Sequence, residues 1–425
     1  MLVAAHTLGC KVNKCDTDAL LESLASIGCI ICNFNQVADI YIINTCTVTH
    51  TSDKKSKQMM RRAKRQNPNA LVAVCGCMVR NTHADTFDAD YVFDARKPED
   101  FVVKIAELNR IKASQPYKHN NVEPDLQSRT RAFVKIQDGC DRFCAYCIVP
   151  YVRGNPKSRH VQDIIIEVGN LILSGAQEIV LTGIQVASYG EDTKDATLSS
   201  LISQLLAIDN LKRLRLSSIE PCAINEEFLA VVASSQVLCA HFHLSLQSGS
   251  DATLKRMNRR YTSLQYASKI KALRTINPNI ALTTDIIVGF PGETDEEFDE
   301  SLKFVQEMGF SRIHVFEYSM RAGTVAATLP SQVPDQVKSE RGLAMRAVAA
   351  KLQRDFYRSQ IGKKVPVLFE TEKKLGQWVG YTSNYCPVEI NIKTNNKQNL
   401  TNTIVEVEIT ASAQDGLVGK IGGCL

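Results

Sequence analysis

Three cysteines on one short loop constrain this chain more than any other feature. They are Cys140, Cys144 and Cys147, in the run Cys140-Asp-Arg-Phe-Cys144-Ala-Tyr-Cys147. A β-branched and aromatic stretch, Phe133 to Gln137, feeds Gly139 and then the loop. Thiolates at C-x3-C-x2-C spacing can hold three corners of an iron–sulfur cube, where a full set of protein ligands would be four. The open fourth iron is a place for a small molecule. A structural zinc site closes with four ligands, and no histidine lies within the loop to complete one. Free cysteine is also used as a small buried hydrophobe, but the metal spacing and the strand–glycine–loop context favour a cluster.

The stretch Gly139-Cys-Asp-Arg-Phe-Cys-Ala-Tyr-Cys-Ile-Val-Pro-Tyr-Val-Arg-Gly154 resembles the signature of radical S-adenosylmethionine enzymes, and more narrowly their methylthiotransferase branch. The resemblance implies that the open iron binds the amino and carboxylate groups of S-adenosylmethionine.

A chain of 425 residues has room for about three domains. With 44% hydrophobic and 22% charged residues it reads as globular. A net charge of +5 neither requires nor excludes nucleic acid. The N-terminus, Met1-Leu-Val-Ala-Ala-His, lacks a basic and then apolar leader pattern, and no apolar run reaches membrane-span length. A cytoplasmic protein is expected, in which 14 cysteines point to metal or catalysis rather than disulfides.

Over residues 1–112, three apolar runs each end in a cysteine: Leu2 to Gly9 before Cys10, Ala38 to Thr45 before Cys46, and Ala70 to Gly76 before Cys77. Helical stretches follow the first two, so a small parallel α/β domain is expected. Parallel strands bring their C-terminal ends, and these cysteines, to one edge. Thr7-Leu-Gly-Cys-Lys-Val-Asn13, Asn44-Thr-Cys-Thr-Val-Thr49 and Gly76-Cys77 resemble the family's N-terminal motifs, which implies an auxiliary 4Fe–4S cluster on Cys10, Cys46 and Cys77. Cys75 stays open as an alternative to Cys77, since alternate residues of an extended strand share a face. Cys15, Cys29 and Cys32 read as packing residues. Lys54, Lys57, Arg61, Lys64 and Arg65 fall on one face of the helix after Cys46, which suits either a phosphate backbone or plain solvation.

Residues 113–130 have linker composition. From 131 to 360, six strand–helix units predict a partial (β/α)6 barrel with function at the C-terminal strand ends. Those ends carry Glu220, Gln247, Ser248, Asp285 and Gly289, which with Tyr146 resemble cofactor contacts of the radical S-adenosylmethionine barrel; Phe290-Pro-Gly-Glu293 is especially similar to it. Arg256, Arg259, Arg260 and Tyr261 form a basic–aromatic cluster that fits RNA or solvent equally. Cys222 and Cys239 read as packing residues.

From 361 to 425 about five short β-runs predict a small OB-like barrel. Its place in the chain resembles a TRAM domain, and Trp378, Tyr381 and Tyr385 are candidate RNA-stacking residues. The glycine-rich run Gly416 to Gly423 lacks the context of a phosphate loop. The expected fold class is therefore α/β multidomain: a parallel α/β domain, a partial barrel and a small β-barrel.

Taken together, the resemblance implies an enzyme that replaces a C–H bond with C–SCH3, chemistry that needs a cofactor-derived radical. It implies two 4Fe–4S clusters and S-adenosylmethionine. The Cys140 cluster supplies the electron that cleaves S-adenosylmethionine, and the Cys10 cluster carries sulfur that a second S-adenosylmethionine methylates. It also implies a tRNA anticodon-loop substrate and a reductant such as flavodoxin or ferredoxin. The motifs are most similar to the branch acting on N6-threonylcarbamoyladenosine at position 37. The isopentenyladenosine branch and a non-catalytic Fe–S or zinc RNA-binding protein are the alternatives.

Overall fold

Alternation of apolar strand and amphipathic helix builds a parallel sheet over the first hundred residues. The computed structural model describes residues 1–81, 87–113, 130–392 and 399–422. The expected linker lies outside the described residues from 114 to 129, as does Gly423 of the glycine-rich run. The first sheet has strands β1 (Leu2–Thr7), β2 (Ile30–Cys32), β3 (Ile40–Thr45), β4 (Leu71–Gly76) and β5 (Tyr91–Val92), in the order β2-β1-β3-β4-β5. β3 is buried along its whole length, which is why it reads as one unbroken apolar run. Helices α1 (Lys11–Ser26), α2 (His50–Gln66), α3 (Cys77–Asn81) and α4 (Glu99–Ala113) complete this region. One face of the sheet packs Val3, Ile40 and Ile42 with Leu20, Leu24 and Phe101; the other packs Tyr41, Ile43 and Val74 with Met60.

The central region contains β6 (Arg131–Asp138), β7 (Lys157–Ser158), β8 (Glu178–Gly183), β9 (Arg213–Leu216), β10 (Ser218–Ile219), β11 (His241–Leu244), β12 (Ala281–Val288) and β13 (Arg312–Glu317). They form two sheets, β7-β6-β8-β9 and β10-β11-β12-β13. The sheets join where Leu214 pairs in parallel with Leu238. The six main strands all run parallel, and β6 and β13 do not pair among the described residues, so the barrel is open as expected. Helices cover its outside with Ile164, Leu201, Phe228, Ile270, Val305 and Met345. Three of those helices start at threonine capping boxes, on Thr197, Thr262 and Thr294.

The last strands, β14 (Lys364–Lys374), β15 (Gln377–Thr382), β16 (Pro387–Asn391), β17 (Thr403–Ala413) and β18 (Gly416–Ile421), close in the order β14-β15-β16-β18-β17. Only β16 and β18 pair in parallel, giving a five-stranded barrel of OB type. Two expectations for this barrel are corrected. Trp378 is 4% exposed and fills the core, because β15 alternates and Trp378, Gly380 and Thr382 point inward. Tyr381 faces outward but is half-buried, stacked on Tyr385 and under the Arg131 guanidinium at 4.4 Å. Neither ring is a free stacking surface.

These aromatics belong to a seam with the central barrel. Glu178, fully buried, accepts from Arg215 at 2.6 and 3.0 Å, with Arg213 at 3.6 Å and Arg131 at 3.7 Å. The three arginines then reach the small barrel. Arg131 bonds Glu370 and Tyr385, Arg213 the carbonyls of Pro366 and Tyr381, and Arg215 the carbonyl of Ser383. No helix among the described residues is long and apolar enough to cross a membrane.

Candidate active site between two cysteine triads

The loop after β6 is pinched at its neck. Gly139 has φ +76°, and a Cβ there would collide with the Asn155 carbonyl. Cys140 N donates to Gly154 O at 2.9 Å, closing the loop on itself. Its middle is clamped from outside: Ala145 N donates to Met257 O at 3.0 Å, and Ala326 N donates to Ala145 O at 2.7 Å. The sulfurs lie within electrostatic reach of one another. Burial pushes the Cys140 thiol up to about 11 and the Cys147 thiol to about 12, and the Cys144 sulfur adds to both. Without a metal these thiols hold their protons, and binding iron would displace them, because the thiolate is the ligand.

The second triad is assembled from three adjacent strand ends. Cys10 caps α1 after β1, Cys46 follows β3, and Cys77 opens α3 after β4. Gly9, at φ +95°, lets β1 end against Cys46: a Cβ would lie 2.9 Å from the Cys46 Sγ. Burial raises the Cys46 thiol, and the Cys77 sulfur contributes in the same direction. Cys75 is not part of this group. Gly76 adopts φ +95°, which breaks the extended alternation, so Cys75 turns into the core with Val3, Leu20 and Phe93 while Cys77 turns to the triad. The shared face expected of residues 75 and 77 is thereby corrected.

A single short helix is the wall between the triads. α5 (Val149–Arg153) begins two residues after Cys147, and Cys77 packs on its Val152 and on Ile148. Arg153, 3% exposed, was not singled out from the sequence. Its Nη1 donates to both carboxylate oxygens of Asp138 at 2.8 and 2.9 Å. Its Nη2 donates to Asn13 Oδ1 and, at 3.2 Å, to Asp16. Asn13 Oδ1 also accepts from the Cys77 Sγ at 3.9 Å, and Asn13 Nδ2 donates to the Leu8 and Thr45 carbonyls. Lys135 completes the group by bonding Asp16.

The expected cofactor residues divide. Tyr146 packs beside the loop with Met257, Phe290 and Tyr318. Glu220 pairs with Arg259 at 2.8 Å and Arg142 at 3.5 Å, and Arg259 Nη1 lies 3.2 Å from the Cys144 Sγ. Asp285 pairs with His243 at 3.2 Å, and His314 on the next strand joins them. Gln247, at φ +74°, is stitched by its backbone into β12. Ser248 is 1% exposed and accepts from Ser250 N, while the Gly289 amide is taken by Glu293 at 2.6 Å. Ser248 and Gly289 thus each make a local turn contact. The basic cluster after β11 divides: Arg256 pairs with Glu297, Arg259 reaches the cysteine loop, Tyr261 bonds the Ser245 carbonyl, and Arg260 is exposed.

Comparison with known proteins places this geometry. Residues 134–305 match the Radical SAM superfamily, and residues 2–95 match uncharacterized protein family UPF0004. A Bacillus subtilis protein, threonylcarbamoyladenosine tRNA methylthiotransferase MtaB, is 40% identical over 405 residues, covering 91% of this chain and 89% of the relative. The chain belongs to the tRNA methylthiotransferase family. Its cofactors are 4Fe–4S clusters and S-adenosylmethionine. An Aquifex aeolicus protein of the same name is 34% identical (92% of this chain, 96% of the relative). The tRNA-2-methylthio-N(6)-dimethylallyladenosine synthase of Pelotomaculum thermopropionicum is 35% identical, covering 88% of each chain. In fold, this methylthiotransferase is similar to the radical S-adenosylmethionine methyltransferase TsrM from Kitasatospora setae, with TM-score 0.58 at 15% identity and 77% of each chain covered.

Helix α2 presents a cationic face. Lys54, Lys57, Arg61 and Arg65 are exposed along it, and Lys54, Arg61, Lys64 and Arg65 line a depression with Gln58 and Asp88. Lys64 is partly neutralised by Asp90 at 2.5 Å.

Proposed function

We propose that this methylthiotransferase adds a methylthio group to C2 of N6-threonylcarbamoyladenosine at position 37 of tRNA. The observation that carries the reading is the convergence of Cys10, Cys46 and Cys77 beside the loop of Cys140, Cys144 and Cys147, with one helix between them. On this reading the loop triad holds the 4Fe–4S cluster that binds S-adenosylmethionine, and the strand-end triad holds the auxiliary one. Together the bound groups supply a radical able to take hydrogen from an unactivated carbon, and sulfur to replace it. The chain supplies the rest. Gly139 and the Met257 and Ala326 contacts fix the loop, Tyr146 offers a ring beside the cofactor, and Arg259, anchored by Glu220, places positive charge on the Cys144 side. We assign residues 1–112 to the auxiliary-cluster domain, 131–360 to the radical core and 361–425 to a TRAM domain. α2 takes the tRNA backbone, a flavodoxin or ferredoxin supplies electrons, and the setting is the cytoplasm.

The threonylcarbamoyl substrate is favoured by the 40% identity to the Bacillus subtilis relative; the 35% identity to the Pelotomaculum relative keeps the dimethylallyl substrate as the second reading. Nucleoside mass spectrometry of tRNA from cells with and without the gene tests both. Loss of 2-methylthio-threonylcarbamoyladenosine on deletion, restored by the wild-type gene and not by Cys77→Ser, is expected. Loss of the isopentenyl product alone would move the substrate and keep the chemistry.

A further inference from the structure

Arg153 has one hydrogen-bond donor left over. Its guanidinium is buried, with a side chain 1% exposed, yet its Nε–H has no partner among the described residues. A buried, unpartnered charged donor is costly unless something outside the polypeptide meets it. The Nη atoms are committed to Asp138, Asp16 and Asn13. Asn13 brings the same guanidinium up to the Cys77 sulfur through a shared oxygen. On the other side, Asp138 Oδ1 accepts from the Gly139 amide at 2.8 Å, at the root of the other triad's loop.

We propose that Arg153 is the positioning residue of the auxiliary site: its Nε–H donates to sulfur of the cluster held by Cys10, Cys46 and Cys77, and its remaining nitrogens lock that cluster against the Cys140 loop. This rests on the ligand assignment made above. The electrostatics give it a direction. Arg153 and Lys135 face Asp16 and Asp138, two cations against two carboxylates. Removing Arg153 leaves uncompensated negative charge beside the cluster, and added negative charge opposes the arrival of an electron. Loss of a donor to cluster sulfur acts in the same direction.

The test uses the full chain carrying Cys140→Ala, Cys144→Ala and Cys147→Ala, so that only the auxiliary cluster is present, and an electron-paramagnetic-resonance redox titration. Arg153→Gln is expected to move the midpoint to more negative potential by at least a tenfold change in the reduction equilibrium, about 59 mV for one electron. Arg153→Lys, which keeps the charge and loses the Nε–H, is expected to shift it less. Full iron content with an unchanged midpoint in Arg153→Gln would overturn the proposal. If Arg153→Gln fails to fold, Arg153→Lys decides: a wild-type midpoint there overturns the hydrogen bond, and a negative shift supports it. Absence of iron in the Arg153-containing background would instead overturn the ligand assignment itself. In the intact enzyme, the ratio of 5′-deoxyadenosine to methylthiolated product is expected to rise at least tenfold in Arg153→Gln.

Discussion

Gly76 decides which of two neighbouring cysteines joins the strand-end triad, the site proposed for the auxiliary cluster. Its φ of +95° is costly for any residue with a Cβ, and a Cβ there would strike Asn44 Oδ1 and the Thr45 carbonyl. Gly76→Ala is therefore expected to remove about half of the bound iron and sulfide, as Cys77→Ser does, consistent with one of two four-iron clusters. Cys75→Ser is expected to leave both counts unchanged. Chemical iron and sulfide analysis of anaerobically purified protein checks all three. The triads themselves were legible because cysteine spacing and strand ends are written in the chain. The inward turn of Cys75 was not, because one left-handed residue reverses an inference drawn from strand alternation. Arg153 was invisible for a similar reason: an arginine closing a short helix after the loop looks like any surface cation until its burial is known. Trp378 could have been placed, since it shares the inward phase of β15 with Gly380 and Thr382.

At the level of elements, helix α2 carries the clearest separation of roles. Ser56, Met60 and Ala63 pack inward, while Lys54, Lys57, Arg61 and Arg65 stay in solvent. Replacing Lys54, Lys57 and Arg61 with glutamate is expected to weaken tRNA binding without altering thermal stability, since none of the three packs in the core. The dependence of the logarithm of affinity on the logarithm of salt should flatten by about 1 for each phosphate no longer neutralised. Filter binding across a salt series measures it, and an unchanged slope would remove α2 from the RNA surface. This helix was readable from its 3.6-residue period. The short edge strands β2 and β5 were not, since three and two residues of pairing leave too little pattern to detect.

Across the whole molecule, Glu178 is the hinge-pin of the seam between the two barrels. Three arginines converge on it, and each reaches the small barrel. Burial opposes its charge, but Arg215, Arg131 and Arg213 prevail and hold its carboxyl below the ordinary range. A depressed carboxylate stabilises the fold above its unfolded pKa of about 4.3, and that stabilisation is lost as pH falls through the lower folded value. Glu178→Gln leaves buried cations uncompensated and is expected to cost about 3–5 kcal/mol. Urea unfolding at pH 7 reads that loss, and limited proteolysis near residues 359–364 reads the release of the small barrel. The variant should also lose part of the wild type's acid sensitivity below about pH 4. Sequence periodicity could count the strands of both barrels, but not foresee this seam. Arg213 and Arg215 alternate with leucines just as outward-facing charges do.

The same seam sets the order in which the chain can mature. Arg131 lies on the first strand of the central barrel, yet its partners Glu370 and Tyr385 come 239 and 254 residues later. At a synthesis rate of about 5–20 residues per second, the last sixty or so residues take roughly 3–12 s to appear. For that interval the nascent central barrel stands with its arginine ring uncovered. The polar character of the ring then has a second use: it meets water, and not another unfinished chain, until the lid arrives.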